Sequence, residues 1–565
     1  MKGPVLDAIL WLGPALTPLV ALLLLPAGPR LRALVPFAAL PALLVAMFAP
    51  AGTVNLPWLL LGARFGLDDT GRIFLLFTAS LWLAAGIHGW SYLRDDTRRT
   101  AFFGFFAAAM AGNIGVILAQ DAASFYVFFA LMSFAAYGLV VHSCASDALH
   151  AGRVYIALVI AGELALFAAI VLWAHLAGSI YFADFQTAAA SATAKPARNW
   201  AIGLTIVAFG IKAGAIPLHV WLPLAHPAAP TPASAILSGA MIKAGLLGWL
   251  RFLPYGSEVG RWGELMIAFG LFAAFAGALA GLLQRNPKSA LAYSSISQMG
   301  FITVLVGTAL AVPAAAPAAT LAAAFYAFHH AFAKALLFLG VSMSGARSRA
   351  GRVAVTVGMA LPALALAGAP LTSGAFGKAE LKSVMAAAGW AGLAFPLSLA
   401  AVGTTLVMLR TLDLVHRTRD AHAPGIGMWA GWGLLVAGCA FATWIPLHAR
   451  IEFSVLPSAW VGALVSALWP ILAGLGLAAA SWHAGWSDDR LSVPPGDFLV
   501  PLLRASERLR FGFPVRLEAP WAWRVSDVTA LKFRGAPSRA EAALARRAGI
   551  VLLLMAAGVA VLAKH

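Results

Sequence analysis

Apolar runs of about twenty residues recur along the whole chain, and nothing limits the possible folds more than this. Each run is long enough to cross a hydrocarbon core of roughly 30 Å as a helix, and a helix satisfies its own backbone groups where no water is available. Approximate spans begin at residues 5, 31, 72, 101, 122, 153, 199, 232, 262, 289, 317, 352, 390, 428, 459 and 547. The composition agrees: 61% apolar and 11% charged residues, with a mean hydropathy of +0.86, lie far from soluble averages. A barrel is excluded because the short alternating segments it needs are missing. The expected fold is an all-α polytopic membrane protein of about sixteen helices.

The net charge of +17 would suggest nucleic acid in a soluble protein, but the basic residues are sorted by loop. Connections after the first, third, ninth, eleventh and thirteenth spans carry Arg30 and Arg32; Arg94, Arg98 and Arg99; Arg285 and Lys288; Arg347, Arg349 and Arg352; Arg417 and Arg419. The alternate loops are poorer in them. The positive-inside rule then places these loops in the cytoplasm and the N-terminus outside, in a bacterial-type inner membrane. The first run, from Val5, lacks a small-residue cleavage site and reads as a retained helix. Cys144 and Cys439 have no spacing that suggests a disulfide framework, metal or iron–sulfur site, so no cofactor is expected.

Two runs are interrupted alike. "FGIKAGAIPLHVWLP" (209 to 223) and "LAGAPLTSGAFGKAELK" (366 to 382) both put Gly and Pro beside a lysine. Paired broken helices point to an inverted repeat with its site at the breaks. Pro223 and His226 read as the turn into the next span. The predicted organisation is N-terminal helices (1–100), two repeats (101–254 and 255–415), further core helices (416–481), a cytoplasmic interfacial amphipathic segment (482–546) and a terminal span (547–565). The amphipathic reading rests on "LVPLLRASERLRF"; a basic linker chopped by Pro494, Pro495, Pro514 and Pro520 is the alternative.

Counting 1.5 Å per residue from each span start puts Glu163, Lys212 and Lys243 near mid-membrane. Lys334 and Lys378 are also well inside apolar runs. A charge facing lipid there costs a few kcal/mol or more. One acid and four bases cannot all be neutralised as fixed pairs, so some lysines are expected to be neutral part of the time. Lys378, beside a break, is also compatible with snorkelling. His330 and Lys334, spaced i,i+4, share a helix face with His329 alongside, and His219 lies just past Pro217. Tyr293, Ser294, Ser295, Ser297 and Gln298 are further polar groups in a span. The acidic pairs in "DDTGR" (68 to 72), "DDTRR" (95 to 99) and Asp488-Asp489 sit beside Arg or at span edges and read as loop charge.

The stretches "IKAGAIPLHVWLPLAHPAAPTPASAILSGAMIKAGLLGWLRFLP" (211 to 254), "QRNPKSALAYSSISQMGF" (284 to 301) and "FHHAFAKALLFLG" (328 to 340) resemble the antiporter-like subunits of respiratory complex I, energy-converting hydrogenases, formate hydrogenlyase and Mrp-type cation/proton antiporters. The resemblance implies a fourteen-helix core with two inverted five-helix repeats. It also implies a lateral proton path in which Lys212 and Lys378 are the broken-helix lysines, Lys243 the central lysine, and His330 and Lys334 its continuation. Where the family has a glutamate in a "WELMS"-like motif, this chain has "FFALMSFAAY" (128 to 137), with Ala130 in the acid's place. Glu163, one span later, is the expected replacement partner of Lys212. The expected proton-transfer set is Glu163, Lys212, His219, Lys243, His330, Lys334 and Lys378.

The hydrogenase-like branch is the nearer likeness, and the expected function is a proton-translocating subunit of a multisubunit redox-driven complex. Its partners would be other membrane subunits and peripheral redox or driving subunits, with the lipid bilayer around them and no nucleic acid. Two other uses fit the same residues: a gradient-consuming cation/proton antiporter, or an inorganic-carbon-uptake subunit with a soluble zinc-binding partner. The loss of acid at Ala130 also fits an inert scaffold.

Overall fold

The computed structural model describes residues 4–191, 195–418, 420, 423–442, 460–483 and 493–496. The amphipathic stretch at 499–511 and the terminal span at 547–565 lie outside the described residues. Contacts group residues 1–498 into one compact unit.

Helix α1 (Pro4–Leu24) opens the chain. The second expected span is broken up: α2 (Pro29–Arg32) is followed by a 3-10 turn at Val35–Ala39 and by α3 (Leu40–Phe48). Pro36 and Pro41 explain this, since neither supplies a backbone donor to a continuous helix. A short antiparallel hairpin, β1 (Gly52–Leu56) with β2 (Ala63–Leu67), then departs from the all-helical expectation.

Helices α4 (Asp69–Tyr92), α5 (Arg99–Leu118), α6 (Ala122–Val140) and α7 (Ser146–Ala177) follow. The connecting α8 (Phe182–Ser191) leads to the first broken helix, formed by α9 (Lys195–Ala213) and α10 (Trp221–Ala228). The next span is α11 (Thr231–Ile236), a π-helical turn at Leu237–Met241, and α12 (Ile242–Phe252). After it come α13 (Trp262–Leu282), α14 (Pro287–Ala311) and α15 (Ala316–Met343). The second broken helix is α16 (Arg349–Ala367) with α17 (Ser373–Ala387); α18 (Ala394–Arg417), α19 (Ile426–Phe441) and α20 (Trp460–His483) complete the described chain.

Among the described residues, eleven helices are long and apolar enough to cross a membrane, with shorter apolar helices beside them. The protein is a polytopic all-α membrane protein. The spans Thr231–Phe252, Pro287–Ala311 and Pro313–Met343 are surrounded by protein almost completely, whereas α7, α13 and α16 keep an outward face. A helix apolar on all sides belongs in the centre, and these three carry Lys243, Ser295 and Lys334.

Close packing around them relies on small residues. On α13, Gly263, Gly270 and Gly277 meet the α14 backbone, and Gly300 and Gly307 return the contact; a Cβ on Gly300 would lie 2.5 Å from Gly270 O. Membrane helices approach this closely only through such residues. Gly245 does the same for α12, since a Cβ there would lie 2.6 Å from Phe209 O on α9.

Alternate loops gather at opposite ends. At one end, His142 bonds Asp96 at 3.0 Å, Arg98 donates to His142 O at 3.1 Å, and Lys288 donates to Ala229 O at 2.8 Å. At the other, Arg64 N donates to Asp121 at 2.8 Å and Arg251 grips Asp68. The arginine-rich loops therefore share a side, as alternating spans require.

Candidate functional site

The first break forms where Gly214 turns the chain with φ +70, in the left-handed region that favours glycine. Lys212 sits in the last turn of α9, only 4% exposed. Its Nζ donates to Ser133 Oγ at 3.1 Å and to Tyr155 Oη at 3.4 Å, while Tyr155 Oη donates to Ser133 O at 2.9 Å. Glu163, buried on α7, has Lys212 and Ser133 as its electrostatic neighbours. The cluster therefore draws on α6, α7 and α9.

Ser133 lies one helical turn beyond Ala130 on α6, so it occupies nearly the same face as the position where the resemblance implies an acid. The hydroxyl is bonded by Lys212 and is an electrostatic neighbour of Glu163, whose own carboxylate oxygens have no hydrogen-bond partner among the described residues. Neither Ser133 nor Tyr155 stands out in the sequence, because hydroxyls in membrane helices more often bond their own backbone.

The π-helical turn accounts for Lys243. By widening the helix it leaves the Ser238 carbonyl free, and Lys243 Nζ donates to it. Ser238 Oγ pairs with Ser295 Oγ at 2.8 Å, Ser295 Oγ donates to Leu291 O at 3.0 Å, and Lys334 Nζ donates to that same carbonyl at 2.9 Å. Two fully buried lysines on different helices are thus bonded to one polar cluster, Lys243 at the Ser238 carbonyl and Lys334 at the Leu291 carbonyl, with the Ser238 and Ser295 hydroxyls between.

His330, on the face of α15 shared with Lys334, has Lys243, Lys334 and His329 as electrostatic neighbours. His329 Nδ1 meets Ser373 Oγ at 2.8 Å, at the start of α17. Tyr326 donates to Gln298 Oε1 at 2.9 Å, and Gln298 Nε2 donates to Thr404 Oγ1 at 3.1 Å, so the polar band continues toward α18. His219 stands apart from this line. It and Tyr293, with ring centroids 6.3 Å apart, line a cavity of about 200 Å³.

At the second break Gly368 turns the chain with φ +89. Lys378 lies after this break, whereas Lys212 lies before the first. Its Nζ reaches back to Leu366 O at 2.8 Å and Ala367 O at 2.9 Å, the open carbonyl end of α16, where a helix dipole favours a cation. Snorkelling is not what the geometry shows. Lys378 and Lys382 border a cavity of about 20 Å³, room for about one water. Glu380, 2% exposed, is a second buried acid that depth counting passes over, although it sits in the same apolar stretch.

The expected residues thus form two clusters and an extension: Glu163 with Lys212; Lys243 with His330 and Lys334; and Lys378, an electrostatic neighbour of His329. Among the described residues no hydrogen bond joins Lys212 to Lys243, although α9 and α12 touch at Gly245. His226, expected in a turn, is instead a fully buried residue of α10.

Residues 119–404, half of the chain, match the family model for the transmembrane region of the NADH:quinone oxidoreductase/Mrp antiporter proteins. The chain belongs to that family. Every cluster just described falls within the matched region.

Hydrogenase-4 component B of Escherichia coli (strain K12) is a 32% identical relative of this quinone oxidoreductase/Mrp-type chain over 274 residues. The match covers 47% of this chain and 39% of that protein, well short of its full length. Among solved structures, the Mrp complex from Dietzia sp. DQ12-45-1b superposes with a TM-score of 0.70 at 23% identity, covering 99% of this chain and 63% of that one. The membrane-bound sulfane sulfur reductase, an archaeal respiratory membrane complex, gives 0.67 at 18% identity, covering 84% and 99%. At these identities the two superpositions establish the shared fold.

Proposed function

We propose that this chain is a proton-translocating membrane subunit of a multisubunit, redox-driven complex, on the hydrogenase-like side of its family. The observation that carries the reading is the buried polar line-up of Lys243 on the Ser238 carbonyl, the paired Ser238 and Ser295 hydroxyls, and the Leu291 carbonyl that Ser295 and Lys334 share. Structural ion pairs would need acids, and this line has none. Groups that hold a proton need what is present, bases seated on buried carbonyls, and the Ser238 and Ser295 hydroxyls between them are groups able to hand one on.

Glu163 and Lys212 are the gate at one end. An ammonium and a carboxylate about 4 Å apart attract by about 4 kcal/mol at an effective dielectric near 20, and doubling the separation halves this. A shift of that size releases about 2 kcal/mol of the energy holding a proton on the pair, more than a tenfold change in occupancy. Ser133, bonded to Lys212 and an electrostatic neighbour of Glu163, is the group the two share. Motion of α7 against α9 is therefore enough to load or release a proton. At the other end, Lys378 holds its position on carbonyls and passes protons by way of Lys382 and the small cavity between them.

The driving energy comes from partner subunits. The relative named as a hydrogenase component and the neighbour titled a respiratory membrane complex support redox partners as that source. The sorting of basic residues by loop supports a bacterial-type inner membrane with the N-terminus outside.

The deciding experiment is proton pumping by inverted membrane vesicles that contain the assembled complex. Lys243→Ala is expected to abolish pumping while leaving the subunits assembled and the redox reaction running. Undiminished pumping would remove the proposal, and sodium-dependent flux without a redox partner would assign the path to antiport.

A further inference from the structure

Lys243 and Lys334 are sealed from solvent, so a proton reaches them only through other polar groups. On the arginine-rich side, Lys288 is partly exposed in the first turn of α14. It donates to the Ala229 carbonyl, which ends α10, at 2.8 Å. Asp420, also partly exposed, bonds Ser344 Oγ through its backbone N–H at 3.0 Å and is an electrostatic partner of Lys288. Both being partly exposed, these two groups mark the solvent-facing mouth on this side.

His226 lies between that mouth and the central pair. It is fully buried in α10, whose last carbonyl Lys288 bonds, and it stacks on the same helix that carries Lys334; its charged neighbours are Lys288, Lys334 and Lys243. The ring stacks on Phe338 at 4.4 Å, with an interplanar angle of 22°. Ser234 Oγ donates to the His226 carbonyl at 2.9 Å, fixing the backbone. Both ring nitrogens lack a hydrogen-bond partner among the described residues.

His88 shows what a purely structural histidine looks like in this fold. Equally buried, it bonds Met428 O at 3.1 Å through Nδ1 and Ser342 Oγ at 3.0 Å through Nε2. Burying an imidazole with neither nitrogen satisfied is costly, whereas an apolar ring would fill the same space at no such cost. The side chain is held by its ring faces, and its nitrogens are left for exchange. His330, on the far side of Lys334, has the same pattern.

We propose that His226 is the proton-access relay joining the Lys288–Asp420 mouth to the Lys243–Lys334 pair. One ring nitrogen takes a proton arriving from water at the mouth while the other releases one toward the lysines. The imidazole ends neutral with its tautomer exchanged, and a ring flip or the reverse transfer resets it. One proton enters and one leaves, with no bond to carbon changed. The assignment rests on the proton path proposed for this chain.

The test uses the assembled complex in inverted vesicles. His226→Phe keeps the stacking on Phe338 and is expected to cut proton flux at least about tenfold, as Lys243→Ala does. Flux lost in Lys243→Ala but intact in His226→Phe overturns the relay and leaves the path standing. Flux intact in both overturns the path itself. Should His226→Phe fail to assemble, deuterium exchange at histidine C2, read by mass spectrometry on the unaltered complex, decides instead. His226 is expected to exchange with solvent faster than His88, and exchange no faster than His88 overturns the relay.

Discussion

At the residue scale, the sequence shows which side chains are charged inside the membrane but not what they touch. Glu163, Lys212, Lys243, Lys334 and Lys378 are conspicuous because each interrupts an apolar run at a real energetic cost. Ser133, Tyr155, Ser238 and Ser295 look like ordinary membrane-helix residues, and only tertiary structure brings them between the lysines. Ser133 is the most informative of them. It bonds Lys212 at 3.1 Å and stands one turn from Ala130. A hydrogen bond to a charged group contributes about 1.5–3 kcal/mol, so Ser133→Ala is expected to lower proton pumping by about tenfold, with Ser133→Thr restoring most of it. Glu163→Gln, which keeps the shape and removes the charge, is expected to lose as much or more. If the hydroxyl acts through the Glu163–Lys212 contact, the double variant is no worse than Glu163→Gln alone, and additive losses in the vesicle assay would separate the two roles.

At the element scale, both helix breaks are legible as Gly and Pro in apolar runs, and both appear where expected. Their handedness in use is not legible: one lysine precedes its break and the other follows it. The π-helical turn at Leu237–Met241 leaves no signal in composition or periodicity, yet it exposes the carbonyl that holds Lys243. Of the acidic pairs read as loop charge, those at 68–69 and 95–96 lie at helix edges and each has a member with specific work, while Asp488-Asp489 lies outside the described residues. Asp96 bonds His142. Asp68 caps α4 through the Gly71 N–H at 2.7 Å and grips Arg251 at the end of α12. Burial acts to raise the Asp68 pKa, but the Arg251 guanidinium and the Gly71 N–H outweigh it and hold the carboxyl below its ordinary value. With the folded value depressed, the stabilisation is complete above the unfolded value near 3.9 and is lost as pH falls through the folded one. The Asp68 side chain is 45% exposed, so solvent screening limits the effect to about 1 kcal/mol, the usual worth of a cap. Asp68→Asn is expected to lower Tm in detergent at pH 7, and the difference from the unaltered chain is expected to close as the pH drops below about 4. A gap that stays constant down to pH 3 would show that charge plays no part.

At the scale of the whole molecule, alternation of the spans is what orders everything else. The arginine-bearing loops, the His142–Asp96 contact, the Lys288–Ala229 bond and the Asp420–Ser344 bond all fall on one side, and the β-hairpin, Asp121 and the Asp68–Arg251 pair fall on the other. Counting apolar runs predicts this segregation, since each crossing reverses the chain. What it cannot assign by itself is which side faces the cytoplasm; the expectation that the arginine-rich side does so rests on charge, because basic residues resist translocation. The chain carries its own reporter. Cys144 is exposed in the loop between α6 and α7, on the arginine-rich side, and Cys439 is buried on α19. A membrane-impermeant thiol reagent is therefore expected to label the chain once, at Cys144, in inside-out vesicles, and to leave it unlabelled in intact cells. Because His226 opens toward the same side through Lys288, this labelling also fixes the compartment from which the relay draws its proton. Labelling from the outside would reverse the orientation, and with it the direction in which Lys243 and Lys334 are filled.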